Sequence, residues 1–177
     1  MKNVVIDNEI LNYILEIEKT KDSLNRVDIP ICLSNKFKKN TKKRSSFASN
    51  KIEGNPLSFE QANDAIESRN RHFLKPEQEI RNYYLALEFL EDKLNKHESI
   101  SKKLILDIQK MICKGESIEK IGIRGPMPAG VFFAVWNNDG TPAYIPPEYK
   151  DIEQLLDQLF EYIEKSDNHP LIKAAIL

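Results

Sequence analysis

An almost entirely helical domain carrying one β-hairpin is the fold this sequence predicts. Three observations predict it. Apolar residues recur at three- and four-residue spacing through most of the chain. Helix-start and helix-stop residues punctuate those stretches. One segment rich in Gly, Pro and aromatics, residues 121–147, breaks the helical texture and reads as strand, turn, strand.

Ile6, Ile10, Leu11, Ile14 and Ile17 mark the first helix, and Pro30 ends that region. A basic run follows, with Lys36, Lys38, Lys39, Lys42, Lys43 and Arg44 leading into SSFASNKIEGNP. That stretch reads as a helix closing at Gly54, with Pro56 just beyond as a further stop. Ser58 begins a new helix, with Gln61 at capping-box spacing and Ala62, Ala65 and Ile66 as its apolar stripe. Pro76 opens the next, whose buried face is Ile80, Tyr83, Tyr84, Leu87 and Leu90. Ser99 or Ser101 caps another, with Leu104, Ile105, Ile108, Met111 and Ile112 inward and Gly115 as its stop.

Val131 to Trp136 is a β-prone run, 137–140 is a turn, and Ala143 to Ile145 returns before Pro146 and Pro147. Because VFFAVW is continuously apolar, burial of much of it is expected. Ile152, Leu155, Leu156, Leu159, Tyr162 and Ile163 define an amphipathic helix. Asp167 or Asn168 then caps a last helix with Pro170 in its first turn. Ile172, Ala175 and Ile176 are expected to leave apolar surface bare there, which a homo-oligomer would cover. With no repeat and no linker, one domain is expected over 1–177. Its parts are an N-terminal helix region (1–35), a basic segment with the following helix (36–57), and the remainder (58–177).

The totals exclude several classes. A hydrophobic share of 41% and a charged share of 30% fit a soluble globular protein. A net charge of −1 gives no global field for nucleic acid or an anionic membrane. Only Phe37 interleaves the basic run, which reads as a solvated helix face rather than a nucleic-acid surface. Asp7 and Glu9 interrupt any signal peptide, and no membrane-length apolar run occurs. Cys32 and Cys113 lack metal or disulfide spacing and are expected to be buried thiols in a reducing cytoplasm.

Glu53 breaks a local rule. A helix C-terminus carries partial negative charge, so a carboxylate there is unfavourable by ~0.3–1 kcal/mol. Ser49, four residues earlier, shares its face. The segment SNKIEGN resembles the inhibitory-helix motif of Fic proteins, [S/T]-x-x-x-E-[G/N], with Ser49, Glu53 and Gly54 at the fixed positions. IEGNPLSFEQA and EQEIRNYYLALEFL resemble the helices that follow it. IGIRGP…VFFAVWNNDGTPAYIPPEYKDIEQLLDQLFEYI resembles the family's Arg-bearing strand, flap hairpin and succeeding helix, with Arg124 at the Arg position. HPLIKAAIL resembles the helix that leads into the catalytic loop.

The resemblance implies a Fic-like helical domain with an incomplete core. Family members transfer AMP from ATP to a protein hydroxyl through H-x-F-x-[D/E]-G-N-G-R-x-x-R. There the His is general base, the acidic residue holds Mg²⁺, and the second Arg holds the γ-phosphate. The inhibitory Glu pairs with that Arg and misplaces the phosphates. His72, His97 and His169 do not introduce this motif, so the resemblance implies that it lies beyond Leu177. It assigns no catalytic residue, metal ligand or cofactor to this chain; ATP and Mg²⁺ belong to the complete enzyme. It makes Ser49, Glu53 and Gly54 the regulatory site. It makes Val131, Phe132, Phe133, Tyr144 and Ile145 the flap that docks a target, with Trp136 near the tip. The expected partners are the Fic core, or the chain's own C-terminal part, and a target protein. The rival readings are an antitoxin-like inhibitor acting in trans on a Fic core, and a helical nucleic-acid module using the basic run.

Overall fold

The computed structural model describes residues 5–69, 72–117, 121–128, 130–131 and 133–176. Its elements in chain order are α1 (Asn8–Asn25), α2 (Ile31–Ile52), α3 (Phe59–Glu67), α4 (Lys75–Asn95) and α5 (Lys102–Ile112). Then come β1 (Val135–Trp136), β2 (Pro142–Tyr144), a 3-10 turn (Tyr149–Asp151), α6 (Ile152–Lys165) and α7 (Pro170–Ile176). Over the described residues the chain is thus all-α apart from one antiparallel hairpin, as its sequence predicts. By contacts it forms two compact units, Met1–Asn40 with Asp167–Leu177, and Thr41–Ser166.

Within Thr41–Ser166, α3 packs on α4, α4 on α5 and α5 on α6. The caps explain where these helices begin. Ser58 and Gln61 form a reciprocal capping box on α3. Pro76 lies in the first turn of α4, where its missing N–H costs nothing. Ser101, rather than Ser99, caps α5 by accepting from the Leu104 N–H at 3.2 Å. The core is small: Ala62, Ala65, Ile80, Tyr84, Ala86 and Leu104 are buried, with Ile80 0% exposed. Ile105 and Ile112, expected inward, are exposed, whereas Leu104 is buried and Ile108 and Met111 are half-buried.

α4 holds this unit together with side chains as well as apolar surface. The Arg81 guanidinium donates to the carbonyls of Ala65, Ile66 and Ser68 (3.2, 3.1 and 2.7 Å), closing the C-terminus of α3, and it stacks on Phe73. The adjacent Asn82, 2% exposed, donates to the carbonyls of Ile112 and Lys114 (3.0 and 2.7 Å), closing α5. Its Oδ1 accepts from Gln78 at 2.6 Å. Helix ends leave orphan carbonyls, and these two neighbouring residues satisfy those of the helices before and after their own.

In the other unit, Asp7 caps α1 through the Ile10 N–H at 2.8 Å. Along α1, Ile10, Leu11, Leu15, Ile17 and Leu24 are exposed. His169, not Asp167 or Asn168, starts α7. Its carbonyl accepts the first helical bond from Lys173, and its Nδ1 accepts from the Leu171 N–H at 3.3 Å. Its Nε2 lies 3.4 Å from Glu18 on α1. Ile172 is buried, against the expectation of a bare stripe, while Ala175 is exposed. Cys32 is exposed and Cys113 half-buried, so the expectation of two buried thiols fails: Cys32 falls on an outer turn of α2. Among the described residues no helix is long and apolar enough to cross a membrane.

Candidate functional site

The end of α2 is a complete Schellman stop. The Gly54 N–H bonds to the Lys51 carbonyl at 3.1 Å and the Asn55 N–H to the Asn50 carbonyl at 2.9 Å. This pairing requires a left-handed residue between them, and Gly54 supplies it with φ +87°. Nothing lies within 4 Å of where a Gly54 Cβ would stand, so conformation, not crowding, demands the glycine. The sequence places the stop here correctly.

Three polar ties fix the C-terminal part of α2 along α4 in antiparallel order. Lys42 binds Glu91 at 2.8 Å and Glu88 at 3.5 Å. Ser49 Oγ and Tyr83 Oη hydrogen-bond at 3.0 Å. Asn55 Nδ2 donates to the Pro76 carbonyl at 2.9 Å and to Glu79 Oε2 at 3.1 Å. Between the upper two ties, fully buried Ser46 turns its hydroxyl back onto the Lys42 carbonyl at 2.8 Å, which satisfies it within its own helix. Phe47 meets Phe59 of α3 edge to face, with centroids 5.4 Å apart. Burial works against the Lys42 ammonium, but Glu91 and Glu88 more than offset it and hold its pKa above the ordinary lysine value.

Lys43 likewise binds Glu67 at 2.6 Å. The basic run is therefore not simply a solvated face. Lys42 and Lys43 are spent on internal carboxylates, which weakens the nucleic-acid reading by two cations.

Glu53 stands apart from this network. It is exposed, and among the described residues its carboxylate makes no hydrogen bond or ion pair. Lys51, the cation of the last turn, reaches the Asn55 carbonyl at 3.4 Å rather than Glu53. The structure therefore brings Ser49 and Gly54 into the scaffold of the turn and leaves Glu53 as its free outward group.

The second predicted region is the hairpin. Val135 pairs with Tyr144 and Trp136 with Pro142, and a register shift separates the two pairs. The turn is built by Asn137 and Thr141 (N to O, 2.8 Å), by Gly140 at φ +80°, and by Asp139, whose Oδ1 accepts from the Thr141 N–H and hydroxyl at 2.9 and 2.6 Å. Those Thr141 bonds hold the Asp139 carboxyl below its ordinary pKa. The first strand is shorter than the predicted Val131–Trp136, and the second, Pro142–Tyr144, has the predicted length but begins one residue before Ala143–Ile145. Val131 belongs to an earlier turn, its N–H bonded to the Pro128 carbonyl at 3.0 Å.

The expected burial of this run does not occur. Phe133 is 52% and Trp136 53% exposed, and Val131, Val135, Tyr144 and Ile145 are exposed as well. A continuous apolar run signals burial when layers cover both faces, and a two-stranded ribbon brings no such layer. Phe132 lies outside the described residues. Arg124 organises the hairpin base: its guanidinium hydrogen-bonds the Pro147 carbonyl and lies over the Phe133 ring, 5.4 Å from the centroid. With Met127, Val131, Ile145 and Tyr149 these residues line a groove of about 500 Å³.

Sequence reasoning missed Asn55, Tyr83's hydroxyl role and the clasp made by Arg124. The available signal was Asn55 itself, because the position after a Schellman glycine ordinarily carries an apolar contact. Among the described residues no group of three or more His, Cys, Asp or Glu is placed to hold a metal ion.

The crystal structure of a Fic family protein from Desulfovibrio desulfuricans G20 superposes on this chain with a TM-score of 0.71. The two are 21% identical over 98% of this chain and 50% of that one, so this chain spans about half the length of its structural neighbour. At that identity the likeness is one of fold, and the fold is Fic-like. No family profile and no curated protein matches the sequence.

Proposed function

We propose that the chain is the regulatory and target-positioning N-terminal part of a Fic protein adenylyltransferase, with Glu53 as its inhibitory carboxylate. The observation that carries this reading is the unpaired, exposed Glu53 on a helix stop whose two Schellman bonds are both made. A carboxylate in that setting lacks a cation, and the motif arginine of a Fic core has the matching charge and fork geometry. The Fic-like fold supports the same reading. The exposed hairpin and its groove support the second role, since an extended target segment can add to a free strand edge.

ATP and Mg²⁺ would be handled by the core motif. The H-x-F-x-[D/E]-G-N-G-R-x-x-R residues do not occur among these 177, and among the described residues no three or more His, Cys, Asp or Glu are placed to hold a metal ion. This chain's own contribution is therefore to hold Glu53 and to offer the hairpin edge.

The test joins the chain to a Fic core carrying the motif and follows transfer of label from α-phosphate-labelled ATP. Glu53→Gly should raise self-labelling and target labelling. Equal labelling with and without Glu53 would remove it from the mechanism.

A further inference from the structure

The geometry points to Asn55, assisted by Tyr83, as the positioning residue that sets where Glu53 is presented; this rests on the inhibitory reading of Glu53. A Schellman stop asks only a backbone N–H of the residue after its glycine, and usually an apolar contact from its side chain. Here that residue is Asn55, only 6% exposed, and each of its polar groups is engaged. Its N–H closes the stop on Asn50, and its carbonyl accepts from Lys51 at 3.4 Å. Its Oδ1 accepts from the Leu57 N–H at 3.2 Å. Its Nδ2 spans to the Pro76 carbonyl and to Glu79.

The side chain is thus superfluous to the stop and committed to tying the turn to α4. The Ser49–Tyr83 bond makes a second tie one helical turn upstream. Glu53 lies between the two ties, so its backbone is fixed from both sides while its carboxylate stays free. A group that must meet a guanidinium supplied from elsewhere works only if its Cα is held, because misplacement of about 1 Å weakens such a constellation. A last helical turn without ties frays. Asn55 and Tyr83 keep the arm from fraying without touching the group it carries.

The experiment uses the chain joined to a Fic core that carries the motif, with label transfer from ATP. Asn55→Ala should raise self-labelling to within about threefold of Glu53→Gly, and the double variant should go no higher than Glu53→Gly alone, because both act through one carboxylate. Tyr83→Phe should give a smaller rise, about threefold, from loss of one hydrogen bond. Ser49→Thr, which keeps the hydroxyl, should match the parent. Independently, hydrogen exchange of the amides at 54 and 55 in the 177-residue chain should accelerate about tenfold in Asn55→Ala, as expected when roughly one net hydrogen bond is lost. If Glu53→Gly raises labelling while folded Asn55→Ala and Tyr83→Phe stay at the parental level, the positioning role is overturned and the inhibitory reading stands. If Asn55→Ala lowers the folded fraction, Tyr83→Phe decides. If Glu53→Gly itself changes nothing, both readings fall together.

Discussion

Replacing Asn82 by alanine removes the donor that closes α5, and the structure sets the size of the effect. Two carbonyls, those of Ile112 and Lys114, lose a partner at 3.0 and 2.7 Å. Gln78 loses its acceptor but is half-buried and can turn to water, so its share is small. A buried polar group left unmatched costs ~1–3 kcal/mol, and the two carbonyls are only part-buried, which favours the lower half of that range for each. The sum is about 2–4 kcal/mol. For a chain of this size that corresponds to a fall of roughly 4–16 °C in melting temperature. Asn82→Asp should be worse than alanine, since it aims a carboxylate at two carbonyl oxygens with no donor left. Thermal unfolding followed by helical circular dichroism reads both, with exposed Asn25→Ala as a control within about 0.5 kcal/mol of the parent. A loss under about 2 °C for Asn82→Ala, or an Asp variant as stable as the parent, would refute the reasoning.

Three further outcomes follow from particular residues. Gly54→Ala should cost about 1 kcal/mol, because φ +87° strains a Cβ although open space surrounds it, and Gly54→Asn should cost less; urea midpoints higher than the parent's would contradict this. Burial, reinforced by Glu88, Glu67 and Glu91, pushes the Tyr84 phenol up to about 12. The folded state therefore favours the neutral phenol. The stabilisation is complete below the unfolded value near 10 and is lost between about pH 10 and 12, up to roughly 2–3 kcal/mol. Tyr84→Phe should flatten that alkaline limb in a pH series of denaturation curves, and an unchanged slope would refute the assignment. Trp136, the single tryptophan, should emit as a water-exposed indole and be readily quenched by acrylamide; a blue-shifted, protected emission would mean that the hairpin is covered.

Most of the helical framework is legible in the sequence because its signals are local. The Ser58 capping box, Pro76, Ser101 and the Gly54 stop each act within five residues. What stays hidden is non-local. Arg81 and Asn82 look like ordinary polar positions of an amphipathic helix, yet they close helices 13 to 32 residues away in sequence. Lys42 and Lys43 look like members of a solvated run until Glu91 and Glu67 are found opposite them. The hairpin misleads in the other direction, since apolar composition reports what a segment would bury if a layer were supplied, not whether one is. At the candidate site, Ser49, Glu53 and Gly54 could be named from a short pattern, while Asn55's engagement with Pro76 and Glu79 depends on how α4 returns past the turn.

If the hairpin receives a target segment, as proposed, the Arg124 clasp carries a consequence for affinity. Among the described residues two residue pairs hold the hairpin's ladder, and a two-stranded ribbon by itself is marginal in water. Arg124, at the base, joins the Phe133 ring to the Pro147 carbonyl and so weights the receptive shape against its open alternatives. Apparent affinity scales with the fraction of molecules in the competent form, so a shape present one-tenth of the time weakens capture about tenfold with every contact to the captured strand unchanged. Arg124 would then act as the gain control on how tightly that segment is held, beyond any contact it makes as part of the groove lining.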